Sequence, residues 1–196
     1  INRELSLLEF NRRVLALSED LDVPLLERLR FLCILGSNLD EYFEIRVAGI
    51  KEQLRAKVAP PGMTLPEMRD LIARMGEEAR LLIAHQYRVL NEQVLPALAD
   101  AGVRLVRRTE FTRAERAWVD RYFAEEVRPL LTPIGLDPAH PFPQVVNKSL
   151  NFVIELSGND AFGRATGIAI VKAPRVLPRV IKLPPEVAGD DHAFVM

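Results

Sequence analysis

A single cysteine among 196 residues excludes an internal disulfide. Cys33 sits in the apolar run Phe31–Leu35 and is expected to be a buried thiol of a reducing compartment. An excess of one charge is missing too: 26 Lys and Arg stand against 27 Asp and Glu, so no chain-wide basic field points to nucleic acid. No apolar run approaches spanning length, which excludes an integral helical membrane segment, and the N-terminus lacks a signal-peptide pattern. No glycine-rich phosphate loop, internal repeat or low-complexity tract is present, and the scattered acids lack the convergent spacing of a metal site. The three histidines suggest no catalysis. His85 falls along a helix, His140 in a proline-rich turn and His192 in an acidic loop, and each reads as structural or surface.

What is present is apolar content, 48% of the chain, enough for one large or two small domains. The first half reads as helical. Ser6-Leu7-Leu8-Glu9 is a capping box ahead of a stripe of Leu7, Phe10, Val14 and Leu17. A second helix enters at Pro24 and is expected to end at Gly36, and Leu39, Phe43, Val47, Ile50 and Leu54 then mark a third. Thr64-Leu65-Pro66-Glu67 opens a long helix running to about Pro96, and Gly102 ends the region. Beyond it, Val103–Val106 reads as a strand, and Thr112 caps a helix whose Trp118, Tyr122 and Phe123 read as core rather than a stacking platform. After a proline-rich stretch, Leu150–Leu156 is a strand closed by Ser157–Asp160, Gly167–Val171 its hairpin partner and Pro178–Leu183 a third strand. The fold class is therefore α+β, with a helical domain over 1–102 and a mixed α/β domain with an antiparallel sheet over 103–196. There is no initiator methionine, and Ala193–Met196 looks like the opening of a further apolar element, so a truncated piece of a longer protein is expected.

Ser37-Asn38-Leu39-Asp40-Glu41-Tyr42-Phe43 is the most informative segment, a polar and aromatic junction between two helical stretches. Asn38 with Glu41 fits a capping box, and so does Ser37 with Asp40, so one polar residue is surplus to helix initiation. An asparagine offers a donor and an acceptor from one planar group, which suits the edge of an adenine ring, and its NH2 stays free even when its oxygen caps. Asp40 and Glu41 repel a polyanion there, so a base or ribose fits better than a triphosphate. The cap and the ligand role both remain open on these residues alone.

The blocks Ile1–Leu15, Pro24–Leu32, Ser37–Phe43, Arg46–Gly49, His140–Pro143, Asn147–Asn151 and Leu183–Glu186 together resemble the N-terminal part of the long-chain bacterial polyphosphate kinases. Leu7 stands where that family usually carries tryptophan, a change that keeps the helix face apolar. The resemblance implies an enzyme that reversibly transfers the terminal phosphoryl group of ATP to polyphosphate through a phosphohistidine. That histidine lies in two phospholipase D-like C-terminal domains absent here, so this piece alone is expected to be inactive. It implies that Asn38 binds ATP at its base, that 103–196 is part of a head domain making dimer contacts, and that Mg2+ arrives with ATP and is not bound by this piece. ATP, polyphosphate, the C-terminal domains and a second copy are the implied partners, in the cytoplasm or at a membrane surface.

Two features stay open beside the resemblance. Arg46 follows Glu41 at a spacing other than i+4, so it is expected to point elsewhere, toward a ligand or a neighbouring domain. Arg104, Arg107, Arg108, Arg113 and Arg116 can guide a phosphorylated substrate, but Glu110 and Glu115 interrupt them and a solvated face is the simpler reading. The alternative to the kinase is a non-catalytic helical interaction module in which Ser37–Phe43 only starts a helix.

Overall fold

The computed structural model describes residues 2–136, 141–158, 167–189 and 192–196. Contacts divide the chain into two units, Ile1–Val103 and Arg104–Met196. The first is helical and the second carries two small sheets, which agrees with the α+β class. His140, Asn159 and Asp160 lie outside the described residues.

Helix α1, Arg3–Glu19, starts a turn before the expected box at Ser6. The Asn2 side-chain oxygen accepts from the backbone N–H of Glu4 and Leu5, at 3.0 and 3.2 Å, and the Ser6 hydroxyl donates to the Asn2 carbonyl instead. The buried stripe is Leu8, Asn11, Val14, Leu15 and Ser18, while Phe10 and Leu17 are exposed. The helix is rotated by about one residue from the expected stripe because its polar members are satisfied inside, Ser18 Oγ by the Leu15 carbonyl and Asn11 as described below.

Helix α2, Leu25–Glu41, runs straight through Gly36, Ser37 and Asn38, then passes through a π turn at Tyr42–Val47 into α3, Ala48–Arg55. No helix starts at Asn38, so the capping reading of that residue is wrong. Gly36 takes no left-handed conformation, and a mid-helix glycine costs only about 1 kcal/mol, which burial of Leu35 and Leu39 on either side offsets. The π turn stretches the inward spacing to Leu35, Leu39, Tyr42, Val47, so Tyr42 is 3% exposed and the expected Phe43 is 39% exposed. Cys33 is exposed rather than buried, because Leu32 and Leu35 take the inner face of its run.

Thr64 and Glu67 form the expected capping box for α4, Leu65–Val89, which continues through a π turn at Leu90–Val94 into α5, Leu95–Asp100. Gly102, at φ +78°, turns the chain out of it. Leu8, Leu15, Leu32, Leu35, Met75, Ala79 and Leu82 make the core where α1, α2 and α4 meet. Polar contacts set the register. Arg28, nearly buried on α2, donates to the Ser18 carbonyl at 2.7 Å, where the negative end of the α1 dipole favours a cation. Gln86 of α4 donates to the Leu32 carbonyl at 2.8 Å, and Arg12–Glu78 and Glu19–His85 tie α1 to α4.

In the second unit, β1 (Val103–Leu105), β6 (His192–Val195) and β5 (Ile181–Lys182) form one sheet in the order β1-β6-β5. The strand expected at Pro178–Leu183 is thus short and belongs to a sheet of its own, and His192 opens a strand rather than sitting in a loop. The other sheet, β2-β4-β3, is antiparallel: β3 (Asn151–Glu155) pairs with β4 (Ile168–Lys172), with Phe152 opposite Val171, as the alternating pattern suggested. Strand β2 (Pro133–Gly135) comes from the proline-rich stretch. Its Pro133 is tolerable because it is the first residue of an edge strand. Helix α6, Arg113–Tyr122, has the expected Thr112 cap. Trp118 stacks on Tyr122 at 5.1 Å and packs on a core of Val106, Leu183, Ala193 and Val195, but Phe123 is largely exposed. The short helix α7, Pro185–Ala188, adds Ala188 to that core.

Gly36 distinguishes a continuous helix from a helix end. A Cβ there meets only Gln86 Nε2 at 3.6 Å, an ordinary contact. Gly36→Ala is therefore expected to raise stability by about 0.5–1 kcal/mol in urea unfolding, whereas a left-handed helix stop at this position would make the same change destabilising.

Candidate functional site

Helices α1 and α2 are antiparallel, since Ser18 meets Arg28 near one end of the pair and Asn11 meets Asn38 further along. Where the α2 backbone enters the π turn the two helices bound a cleft of about 170 Å³. Leu7, Phe10 and Asn11 line it from α1, and Asn38, Glu41, Tyr42 and Arg46 from α2 and the π turn. That volume is below the roughly 300–1,000 Å³ of a pocket for a whole small ligand, and it is close to the roughly 150 Å³ that admits one aromatic ring.

The polar groups of the cleft form a directed chain. Asn11, 4% exposed, donates from Nδ2 to the Leu7 carbonyl at 2.9 Å, and its Oδ1 accepts from Asn38 Nδ2 at 2.9 Å. One of the two N–H groups of the Asn38 amide that the sequence left free is therefore engaged with Asn11, and the other has no partner among the described residues. The carbonyl oxygen of the same amide has no hydrogen-bond partner among the described residues. Sequence reasoning passed over Asn11 because a polar residue did not fit an apolar stripe. The spacing Leu8, Asn11, Leu15, Ser18 was the signal, a helical face with two small polar groups that only a satisfied interior accepts.

Tyr42 is the second residue the sequence did not single out. Its ring meets Phe43 edge-on at 5.7 Å, and its buried hydroxyl has no hydrogen-bond partner among the described residues. Neither has the buried Oε2 of Glu4. Burial, with the Glu4 carboxylate as a second cause, pushes the Tyr42 phenol up to about 12, so it stays a donor throughout the neutral range.

Arg46 does not point away from Glu41: both line the cleft, because a π turn aligns residues five apart where an α-helix aligns those four apart. Arg46 makes no ion pair among the described residues. Of the cluster after residue 103, Arg107, Arg108, Arg113 and Arg116 are exposed, as a solvated face requires, and Glu115 is the exception. Glu115 is buried, accepts from the Thr112 backbone N–H and pairs with Arg104, and Arg116 donates to the Arg108 carbonyl over the Phe111 ring. His85 is engaged with Glu19 at 2.9 Å. Among the described residues no three His, Cys, Asp or Glu side chains converge on a point that can hold a metal, and no helix is long and apolar enough to cross a membrane.

The family model for the polyphosphate kinase N-terminal domain matches residues 1–106, and that for the polyphosphate kinase middle domain matches 114–196. The chain belongs to the polyphosphate kinase family. It is 54% identical over 195 residues to the polyphosphate kinase of Neisseria gonorrhoeae, covering 98% of this chain and 28% of that protein. It is 53% identical over 199 residues to the Burkholderia multivorans polyphosphate kinase, covering 100% and 28%. The crystal structure of polyphosphate kinase from Porphyromonas gingivalis superposes with a TM-score of 0.81 at 26% identity, over 100% of this chain and 28% of that one. The chain thus spans little more than a quarter of the length of these polyphosphate kinases.

The unpartnered phenol gives a test of the cleft in the absence of ligand. Tyr42→Phe removes a buried polar atom that makes no bond, so stability at neutral pH is expected to be unchanged or raised. The raised phenol binds its proton more tightly when folded, so wild-type stability is full below about pH 10 and falls as the pH climbs from about 10 to 12. Tyr42→Phe is expected to lack this component of the alkaline loss in thermal unfolding, and an identical alkaline profile in the two proteins would contradict the burial described.

Proposed function

We propose that this chain is the part of a polyphosphate kinase that forms one wall of its ATP base pocket, with Asn38 as the nucleotide-binding residue. The observation that carries the reading is the cleft itself: ring-sized, walled by Leu7 and Phe10, and lined by an Asn38 amide whose oxygen and second N–H have no partner among the described residues. A planar base has apolar faces and a polar edge, and this lining matches both. In the full-length enzyme the terminal phosphoryl group of ATP passes reversibly to polyphosphate by in-line transfer, through a phosphohistidine outside this chain. The region described acts by positioning, holding the base so that the phosphates reach the nucleophile. On this reading Mg2+ arrives with the ATP phosphates and is held by parts of the enzyme outside this chain. Arg46, which also lines the cleft, supplies a cation for the anionic part of the nucleotide.

The proposed domains are a helical one over 1–102 and the first part of a head domain over 103–196 that contributes to a homodimer, in a cytoplasmic enzyme. Phe152, Val153 and Ile154 of β3 are all exposed, and Val153 reaches 71%. An antiparallel strand apolar and exposed on both faces fits a sheet covered by further protein. The interaction-module alternative explains that surface but not the unsatisfied groups in the cleft.

Asn38→Ala in the full-length enzyme is expected to raise the KM for ATP roughly tenfold to a hundredfold, the loss of about 1–3 kcal/mol for a hydrogen bond whose partner is left unpaired. Its stability is expected to fall as well, by about 1–3 kcal/mol, because the buried Asn11 oxygen loses its donor. Loss of stability with unaltered ATP dependence would reduce Asn38 to a structural partner of Asn11.

A further inference from the structure

Charge is unevenly spread along this nearly neutral chain. Residues 141–154 and 167–185 carry Lys148, Lys172, Arg175, Arg179 and Lys182 without a single Asp or Glu, although the whole chain holds 27 acids against 26 Lys and Arg. On the helices of the first unit, by contrast, cations sit beside acids, as in Arg12 with Glu9, Arg30 with Glu27 and Arg55 with Glu52.

The fold brings three of these five cations to one end of the β2-β4-β3 sheet. Lys172 ends β4 opposite Asn151, the first residue of β3, and the pairing runs one step further, with the Ala173 N–H donating to the Leu150 carbonyl at 3.0 Å. The segment leading into β3 meets both cations there: Lys172 Nζ donates to the Gln144 carbonyl and Arg175 Nη2 to the Asn147 carbonyl, each at 3.0 Å. An ammonium has three N–H groups and a guanidinium five, so one bond to a carbonyl orients each head and leaves its charge and its other donors available. Neither makes an ion pair among the described residues. Lys148 stands exposed in the same segment at φ +56°, a left-handed conformation that asparagine adopts at lower cost, so the turn by itself does not call for lysine.

Exposed cations spread over two adjacent segments do not enclose a single small anion. They suit a flexible polyanion that lies across the surface and gains a little at each contact. We propose that this end of the sheet binds a polyphosphate chain, with Lys172 and Arg175 as its main cationic contacts and Lys148 beside them. The inference rests on the polyphosphate kinase reading above and adds to it a place in this chain where the polymer is held.

The test measures the affinity of the full-length enzyme for long-chain inorganic polyphosphate over a range of salt concentrations, with the KM for ATP, thermal unfolding and oligomeric state of each variant. Lys172→Gln with Arg175→Gln is expected to weaken polyphosphate binding roughly tenfold and to make its salt dependence shallower by about one to two logarithmic units per decade, with the KM for ATP close to wild type. Arg175→Lys keeps the charge and is expected to keep most of the affinity. Lys148→Asn is expected to weaken binding while leaving stability unchanged or raised, and it decides the matter if the double variant does not fold, because both carbonyl contacts stay in place. Arg107→Gln with Arg108→Gln, two exposed cations elsewhere in the second unit, is expected to leave the affinity near wild type, and an equal loss there overturns the site. Unaltered polyphosphate affinity in the folded double variant overturns it as well. If the KM for ATP rises instead, the cations hold nucleotide phosphates, and if only the oligomeric state changes, they face another subunit; the proposal fails in both cases. A wild-type enzyme that neither makes nor binds polyphosphate sinks the kinase reading together with this inference. One that does both, beside a double variant with wild-type affinity, sinks this inference alone.

Discussion

The hydrogen bond between Asn11 and Asn38 is the contact on which the first unit's functional surface depends. Two amides placed between antiparallel helices must each be satisfied or cost the stability that burial of Leu8, Leu15, Leu35 and Leu39 supplies. The Leu7 carbonyl orients Asn11 and Asn11 orients Asn38, so the pair closes the helix interface and leaves the Asn38 oxygen and second N–H without a partner among the described residues. Arg28 on the Ser18 carbonyl and Gln86 on the Leu32 carbonyl fix the same helices in register from the other end. The cleft therefore rests on rigid elements rather than on a loop, which is what a site that works by positioning requires.

The π turn at Tyr42–Val47 is the second constraint. One added residue in the turn brings Tyr42 inward, sends Phe43 outward and places Glu41 and Arg46 on one line. It is also why the helix stripe read from the sequence went astray: a constant 3.6-residue period puts Phe43 in the core. The same uniform period selected Leu7 and Phe10 as core in α1, whereas they line the cleft beside the true inward face. Legible from the sequence were the capped starts at Thr64 and Thr112, the stop at Gly102 and the pairing of β3 with β4. Those signals are local. Asn11, the exposure of Cys33, the continuity of α2 through Gly36 and the separate sheet of β5 depend on what lies across the interface, which no spacing encodes. The family resemblance singled out Asn38 where local chemistry favoured a cap over a ligand contact, and the helix running through it removes the cap.

On the proposed reading the cleft is a base pocket without catalytic groups, and binding energy gathered on the base is used to place the distant phosphates. Truncating such a pocket affects the capture of nucleotide more than the chemical step. A ring-sized cleft with the acidic Glu41 at its lining suits the uncharged end of a nucleotide, and it leaves the polyanionic end to other parts of the enzyme.

The most direct measurement is the ATP dependence of polyphosphate formation by the full-length enzyme, wild type beside Asn38→Ala. If the cleft holds the base, the variant keeps a kcat close to wild type and a KM for ATP raised roughly tenfold to a hundredfold. A folded Asn38→Ala enzyme with the wild-type KM would contradict the base-pocket account.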